Sequence, residues 1–191
     1  MRTEAGRVHG LDEALDRWLG PCDAADRTVL ERCEGPVLDV GCGPGRLVAA
    51  LHRAGVVALG IDVSDVAVDL TRRNGGQALH RDVFAPVPAE GRWRSVLLID
   101  GNIGIGGDPG RLLRRCAGLA APGAQLLVEL AAPGRSGGTV RLRLEGGAEV
   151  GPWFSWGRLP VDDVEGCARS ASLRVHEVWS EGTRWFATLV T

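Results

Sequence analysis

The chain is predicted to be an α/β protein with a mainly parallel sheet, on three observations. Apolar strand-like runs alternate with amphipathic helical stretches as far as residue 133. Two of those runs, residues 96–99 and 125–130, are apolar almost throughout, as strands covered on both faces are. A glycine-rich turn, Gly41 to Gly45, joins an apolar run to an amphipathic stretch. Open α/β sheets bind their ligands at such turns.

Each element has a local reason. Residues 11–33 read as helical with a break at Gly20-Pro21. The run Val37-Leu38-Asp39-Val40 is a strand, and residues 46–54 a helix with Leu47 and Leu51 one turn apart and Gly55 as its stop. Residues 56–61 form a second strand. Ser64 caps a helix to Arg73, which closes at Asn74-Gly75. Residues 77–80 are a weak third strand and 95–99 a strong fourth. Asp108-Pro109 is a cap followed by a first-turn proline, with Leu112, Leu113, Cys116 and Leu119 inward and Pro122-Gly123 as the end. Residues 124–130 are the fifth strand. Beyond residue 134 the pattern changes. Residues 139–144 alternate as a half-exposed strand does, and Trp153-Phe154-Ser155-Trp156 is its hairpin partner. A helix at 161–171 precedes a terminal strand pair, 173–179 and 184–190, around Glu181-Gly182.

Composition narrows the function classes. With 191 residues, 45% hydrophobic and 24% charged, the chain can bury a core without staples. It is expected to be a single domain: a helical cap at 1–34, a ligand-binding half at 35–133, and a hairpin with terminal strands at 134–191. The net charge of -2 opposes a large nucleic-acid surface. There is no Lys, so all 22 basic residues are Arg. This reads as the codon bias of a GC-rich genome and gives no single arginine functional weight. Five cysteines without C-x-x-C spacing argue against a disulfide framework and against a metal site. The polar N-terminus lacks a signal-peptide core, and the apolar stretch 124–133 is short and holds Glu129, so a cytoplasmic, membrane-free protein is expected.

The segment Val37-Leu38-Asp39-Val40-Gly41-Cys42-Gly43-Pro44-Gly45-Arg46 carries the most information. A dinucleotide fingerprint wants G-x-G-x-x-G, but here the spacing is G-x-G-x-G, and the Walker lysine is absent. The segment, with acidic residues Asp62, Asp82 and Asp100 in order at later strand ends, resembles the class I S-adenosylmethionine-dependent methyltransferases over residues 35–191. The resemblance implies a Rossmann-like seven-stranded sheet in the order 3-2-1-4-5-7-6 with the seventh strand antiparallel. It implies S-adenosyl-L-methionine as cofactor and methyl transfer by in-line displacement. Gly41, Cys42, Gly43 and Gly45 would pass under the methionine and ribose. Asp39 would help hold the amino group. Asp62, with Val63 after it, would accept from the ribose hydroxyls. Asp82 and the Val83 N–H would meet the adenine, and Asp100 would stand beside the transferable methyl.

Asp100 and His9 are the candidate bases. Trp18, Asn102, Ile103, Trp153 and Trp156 are the candidate acceptor contacts, the last two either as a substrate wall or as a small hairpin core. Cys42 fits as a small residue of the turn rather than as a nucleophile. With no basic excess, no appended nucleic-acid module and only a modest aromatic insert, the expected acceptor is a small molecule. Two other classes stay open: a cofactor-binding partner or regulator that does not methylate, and a nicotinamide oxidoreductase, which the glycine spacing opposes.

Overall fold

A computed structural model describes residues 1–8, 10, 12–146 and 149–191. In chain order the elements are β1 (Arg2–Thr3), α1 (Asp12–Leu19), α2 (Ala24–Leu30), β2 (Val37–Val40), α3 (Arg46–Arg53), β3 (Ala58–Asp62), α4 (Asp65–Arg73), β4 (Ala78–His80), β5 (Trp93–Leu98), α5 (Pro109–Leu119) and β6 (Ala120–Leu130). There follow β7 (Gly138–Arg143), β8 (Glu145–Gly146), β9 (Glu149–Val150), β10 (Phe154–Arg158), α6 (Val164–Ser170), β11 (Arg174–Glu181) and β12 (Arg184–Val190).

The central sheet runs β4-β3-β2-β5-β6-β12-β11. Numbered by its own strands, that is the expected order 3-2-1-4-5-7-6. The ladders among β4, β3, β2, β5 and β6 are parallel, and β12 is antiparallel to both of its neighbours. The parallel strands therefore deliver Asp39, Asp62 and Asp100 to one edge of the sheet, where ligands of such folds bind. Helices cover both faces. One apolar cluster holds α5 and α6 against β5 and β6; the other holds α2, α3 and α4 against β2 and β3. Leu112, Leu113, Cys116 and Leu119 of α5 are all fully buried. Each such leucine contributes about 1.5–3 kcal/mol.

The capping expectations hold. The Ser64 side chain accepts from the Ala67 N–H, and Asp108 from the Arg111 N–H ahead of Pro109. One boundary differs. β6 begins at Ala120, directly after α5, so Pro122-Gly123 does not separate helix from strand. It lies in a bulge: β5 advances from Trp93 to Ser95 while its partner advances from Ala120 to Gln125, with Gly123 at φ 70°. A second sheet, β1-β7-β10, packs beside the loop between β5 and α5, and the expected hairpin pairs Phe154 with Leu142 and Trp156 with Val140. Among the described residues no helix is long and apolar enough to cross a membrane.

Candidate active site

The site begins where β2 ends. The Gly41 and Cys42 N–H groups both donate to the Ile61 carbonyl, which ties the turn to β3. Two of its glycines are required by contact as well as by backbone. A Cβ on Gly41 (φ 72°) would stand 2.7 Å from Nδ2 of Asn102, and one on Gly45 (φ 83°) 2.4 Å from Cγ2 of Thr71. Asn102 in turn donates to the carbonyls of Val40 and Gly41 at 3.0 and 2.8 Å, and the Thr71 hydroxyl to the Gly43 carbonyl at 2.8 Å. The turn is thus clamped from both sides, while a Cβ on Gly43 would meet nothing within 4 Å.

Asp62, at the end of β3, accepts the Gly43 N–H on one oxygen and the Ser64 N–H on the other, both at 2.9 Å. Each carboxylate oxygen keeps a lone pair for a further donor. Val63 beyond it is exposed, and its carbonyl meets Nε2 of His80 at 2.8 Å. Asp82 is exposed and accepts the Phe84 N–H; Val83 is buried, with its carbonyl held by Arg115. Asp39 is buried, and burial pushes its carboxyl up to about 7 although the Arg46 guanidinium pulls it down. Cys42 is buried beside the Thr71 hydroxyl; burial, then the Asp39 charge, pushes its thiol up, which leaves it inert as a nucleophile.

A charged cluster surrounds Asp100. Arg46, the first residue of α3, grips Asp26 with two bonds of 2.8 and 2.7 Å. It grips Asp100 with two more, of 2.5 and 3.1 Å. Arg184 on β12 holds Glu129 with two bonds of 2.9 Å and reaches Asp26 at 3.0 Å, Asp23 at 3.2 Å and Asp100 at 3.4 Å. Both guanidiniums are held well above their ordinary range: burial opposes the charge, and the carboxylates outweigh it. Asp100 has φ 58°, a left-handed backbone that costs a non-glycine residue about 1–3 kcal/mol. The two arginines on its side chain and Glu129 on its N–H hold it there. Sequence reasoning treated every arginine as background and so missed Arg46 and Arg184. One signal pointed to the cluster: Glu129 is the lone charge in an apolar strand run.

The structure brings together Asp39, Gly41, Gly43, Gly45, Asp62, Asp100 and Asn102. It separates others. The Asp100 carboxylate, expected as a candidate base, is already committed to guanidinium. His9, the other candidate, lies outside the described residues. Ile103 is a core residue, 3% exposed, rather than a lining one. Trp18 borders a cavity of about 290 Å³ with Cys22, Arg46, Arg53 and Asn74; Arg46 also grips Asp100, and Asn74 donates to the Pro44 carbonyl of the turn. Trp153 lies under the Arg143 guanidinium at 4.7 Å. Trp156 packs edge-on to Phe154, with centroids 6.1 Å apart, and bridges Ile105 of the loop that Asp100 opens.

A parallel sheet in this strand order, with a glycine turn after its first strand and carboxylates near the following strand ends, is the arrangement that the resemblance to class I methyltransferases implies. Residues 37–123 match the family model described as a methyltransferase domain, so this part of the chain is similar to that family. Among curated relatives, a ubiquinone biosynthesis O-methyltransferase from Bordetella avium is 32% identical over 94 residues, covering 46% of this chain and 39% of the relative. One of the same description from Coxiella burnetii is 29% identical over 96 residues, covering 47% and 41%. The chain thus spans about two fifths of the length of these relatives. Among solved structures, a SAM-dependent methyltransferase from Bacteroides fragilis in complex with S-adenosyl-L-homocysteine superposes with TM-score 0.76 at 23% identity, over 93% of this chain and 80% of that one. A sugar N-methyltransferase from a Streptoalloteichus species superposes with TM-score 0.67 at 20% identity, over 100% and 98%.

Proposed function

We propose that the protein binds S-adenosyl-L-methionine and transfers its methyl group to a small-molecule acceptor. The observation that carries this is the glycine turn, open above Gly43 and tied to Asp62 through the Gly43 N–H. The donor set suits the cofactor: Asp62 keeps acceptor capacity for a cis-diol, Asp39 is an acidic group for an ammonium, and Asp82 with Val83 stands at the next strand end. S-adenosylmethionine supplies a methyl already activated on a sulfonium. The work left to this chain is alignment and exclusion of water. Asn102 fixes the loop of Asp100 against the turn, so both walls of the crevice keep one spacing. The naming of the curated relatives as ubiquinone biosynthesis O-methyltransferases, and of a Burkholderia thailandensis structure as a 1,6-didemethyltoxoflavin-N1-methyltransferase, supports an acceptor of small-molecule size.

The test is a calorimetric titration with S-adenosylhomocysteine, with NADH as control. Saturable binding of the first alone is expected; binding of NADH alone would reverse the reading. Asp62→Ala should weaken S-adenosylhomocysteine by about 1.5–3 kcal/mol, the scale of hydrogen bonds to a charged group.

A further inference from the structure

Residues 81–92, all of them described, form no helix or strand between β4 and β5. Yet this segment carries Asp82 and Val83, the pair set against the adenine above. No strand ladder holds it, so side chains must. The Ala85 N–H donates to the Asp82 carbonyl at 3.0 Å and closes a turn. The peptide between Val83 and Phe84 is pinned at both ends. Its N–H donates to Oδ1 of Asp82 at 2.9 Å, and its carbonyl accepts Nε of Arg115 at 2.8 Å. The same guanidinium donates to the Ala85 carbonyl at 2.7 Å. Arg115 projects from α5 and is oriented in turn by Glu90, whose two oxygens it meets at 2.6 and 3.2 Å. Glu90 also accepts the Val87 N–H at 2.8 Å, so one arginine and one carboxylate tie the segment together. One turn earlier on α5, the Arg111 guanidinium lies 4.2 Å from the centroid of the Phe84 ring.

Two groups of the turn stay open. Val83 is buried, and its N–H has no acceptor among the described residues. Asp82 spends one oxygen on Phe84 and keeps the other without a donor among the described residues. An open donor and an open acceptor therefore stand on consecutive residues. The adenine edge presents the complement, a ring nitrogen that accepts beside an amino group that donates. Hypoxanthine presents the reverse, a ring N–H beside a carbonyl oxygen. Telling them apart requires the two protein groups to keep one spacing, because a loose turn can re-pair with either edge.

We propose, on the strength of the methyltransferase reading above, that Arg115 is a positioning residue for base discrimination: by holding the Val83 and Ala85 carbonyls it fixes the Val83 N–H and the Asp82 oxygen at the spacing that selects adenine over hypoxanthine. Arg115 itself touches no cofactor in this role. The planar fork matters as well as the charge, since its donors span two carbonyls and a carboxylate at once, which a lysine ammonium cannot do.

The experiment measures the affinities of S-adenosylhomocysteine and S-inosylhomocysteine by calorimetry for the native protein and for Arg115→Met. The native protein should bind the adenine compound at least tenfold more tightly, since a site built to pair a polar group rejects the analogue that reverses it. In Arg115→Met that ratio should fall at least threefold. A merely structural arginine would weaken both ligands alike, so a variant that keeps the native ratio overturns the proposal, as does a native ratio below tenfold. If Arg115→Met does not fold, Glu90→Gln takes its place: this side chain is 40% exposed, and losing its charge loosens the grip on Arg115. The ratio should again fall at least threefold, and an unchanged ratio counts against the role of Arg115. Failure of the native protein to bind either compound would instead overturn the methyltransferase reading.

Discussion

At the scale of single residues, the strand-end carboxylates differ in what surrounds them. Asp62 is satisfied by two backbone N–H groups, whereas Asp39 is buried and titrates near 7 because burial penalises its charge. Its folded-state value lies above the ordinary 3.8, so the folded protein holds this proton more tightly than the unfolded chain. The contribution to stability is complete below the ordinary value and declines as pH rises toward about 7. Asp39→Asn removes the titration. The variant should gain melting temperature over the native protein at about pH 8 and lose that gain by about pH 4, as read by scanning calorimetry across the range. It should also bind S-adenosylhomocysteine more weakly. An offset between the two proteins that stays constant with pH would contradict the assignment.

At the scale of elements, local chemistry made most of the fold legible. Ser64 and Asp108 cap as their positions suggest, and the α5 stripe of Leu112, Leu113, Cys116 and Leu119 is buried as its spacing requires. The start of β6 was not legible, because Pro122-Gly123 has the chemistry of a stop and only pairing with β5 turns it into a bulge. The acidic residues of the site were legible because each lies at or within two residues of the end of a strand. Arg46 and Arg184 were not, because their partners are 20 to 161 residues away in sequence. The turn itself can be tested. Gly45→Ala puts a Cβ against Thr71 at a left-handed backbone, and should cost about 2 kcal/mol or more in urea denaturation. The second sheet should be the less stable unit, since most of β7 is exposed and a single residue of β10 is buried, while β2 and β12 are largely buried. Amide exchange in β7 and β10 should therefore outpace exchange in β2, β5 and β12, and S-adenosylhomocysteine should protect residues 41–45 and 62–64 first.

At the scale of the whole molecule, one cluster joins three distant parts of the chain. Asp26, wholly buried on α2, caps its own helix and accepts from Arg46 on α3 and Arg184 on β12. Burial pushes its pKa up, but the hydrogen bonds from Arg46 and Arg184 outweigh that and hold it below the usual carboxylate value. Its contribution is therefore present above the ordinary 3.8 and lost as pH falls through the lower folded value, the reverse of Asp39. Asp26→Asn should cost about 3–5 kcal/mol at neutral pH, the scale for removing one partner of a buried ion pair. The gap to the native protein should narrow below about pH 4 and persist in 1 M salt, because buried pairs are weakly screened. Asp26 adds stability up to the ordinary 3.8 and Asp39 loses it above that value, so these two groups together favour a stability maximum near pH 4, below neutrality. Denaturation midpoints measured from pH 3 to pH 9 decide this: a maximum above pH 7 would mean that Asp39 ionises freely in the folded state. The buried charge beside Arg46 would then be larger than the ion pairs alone provide.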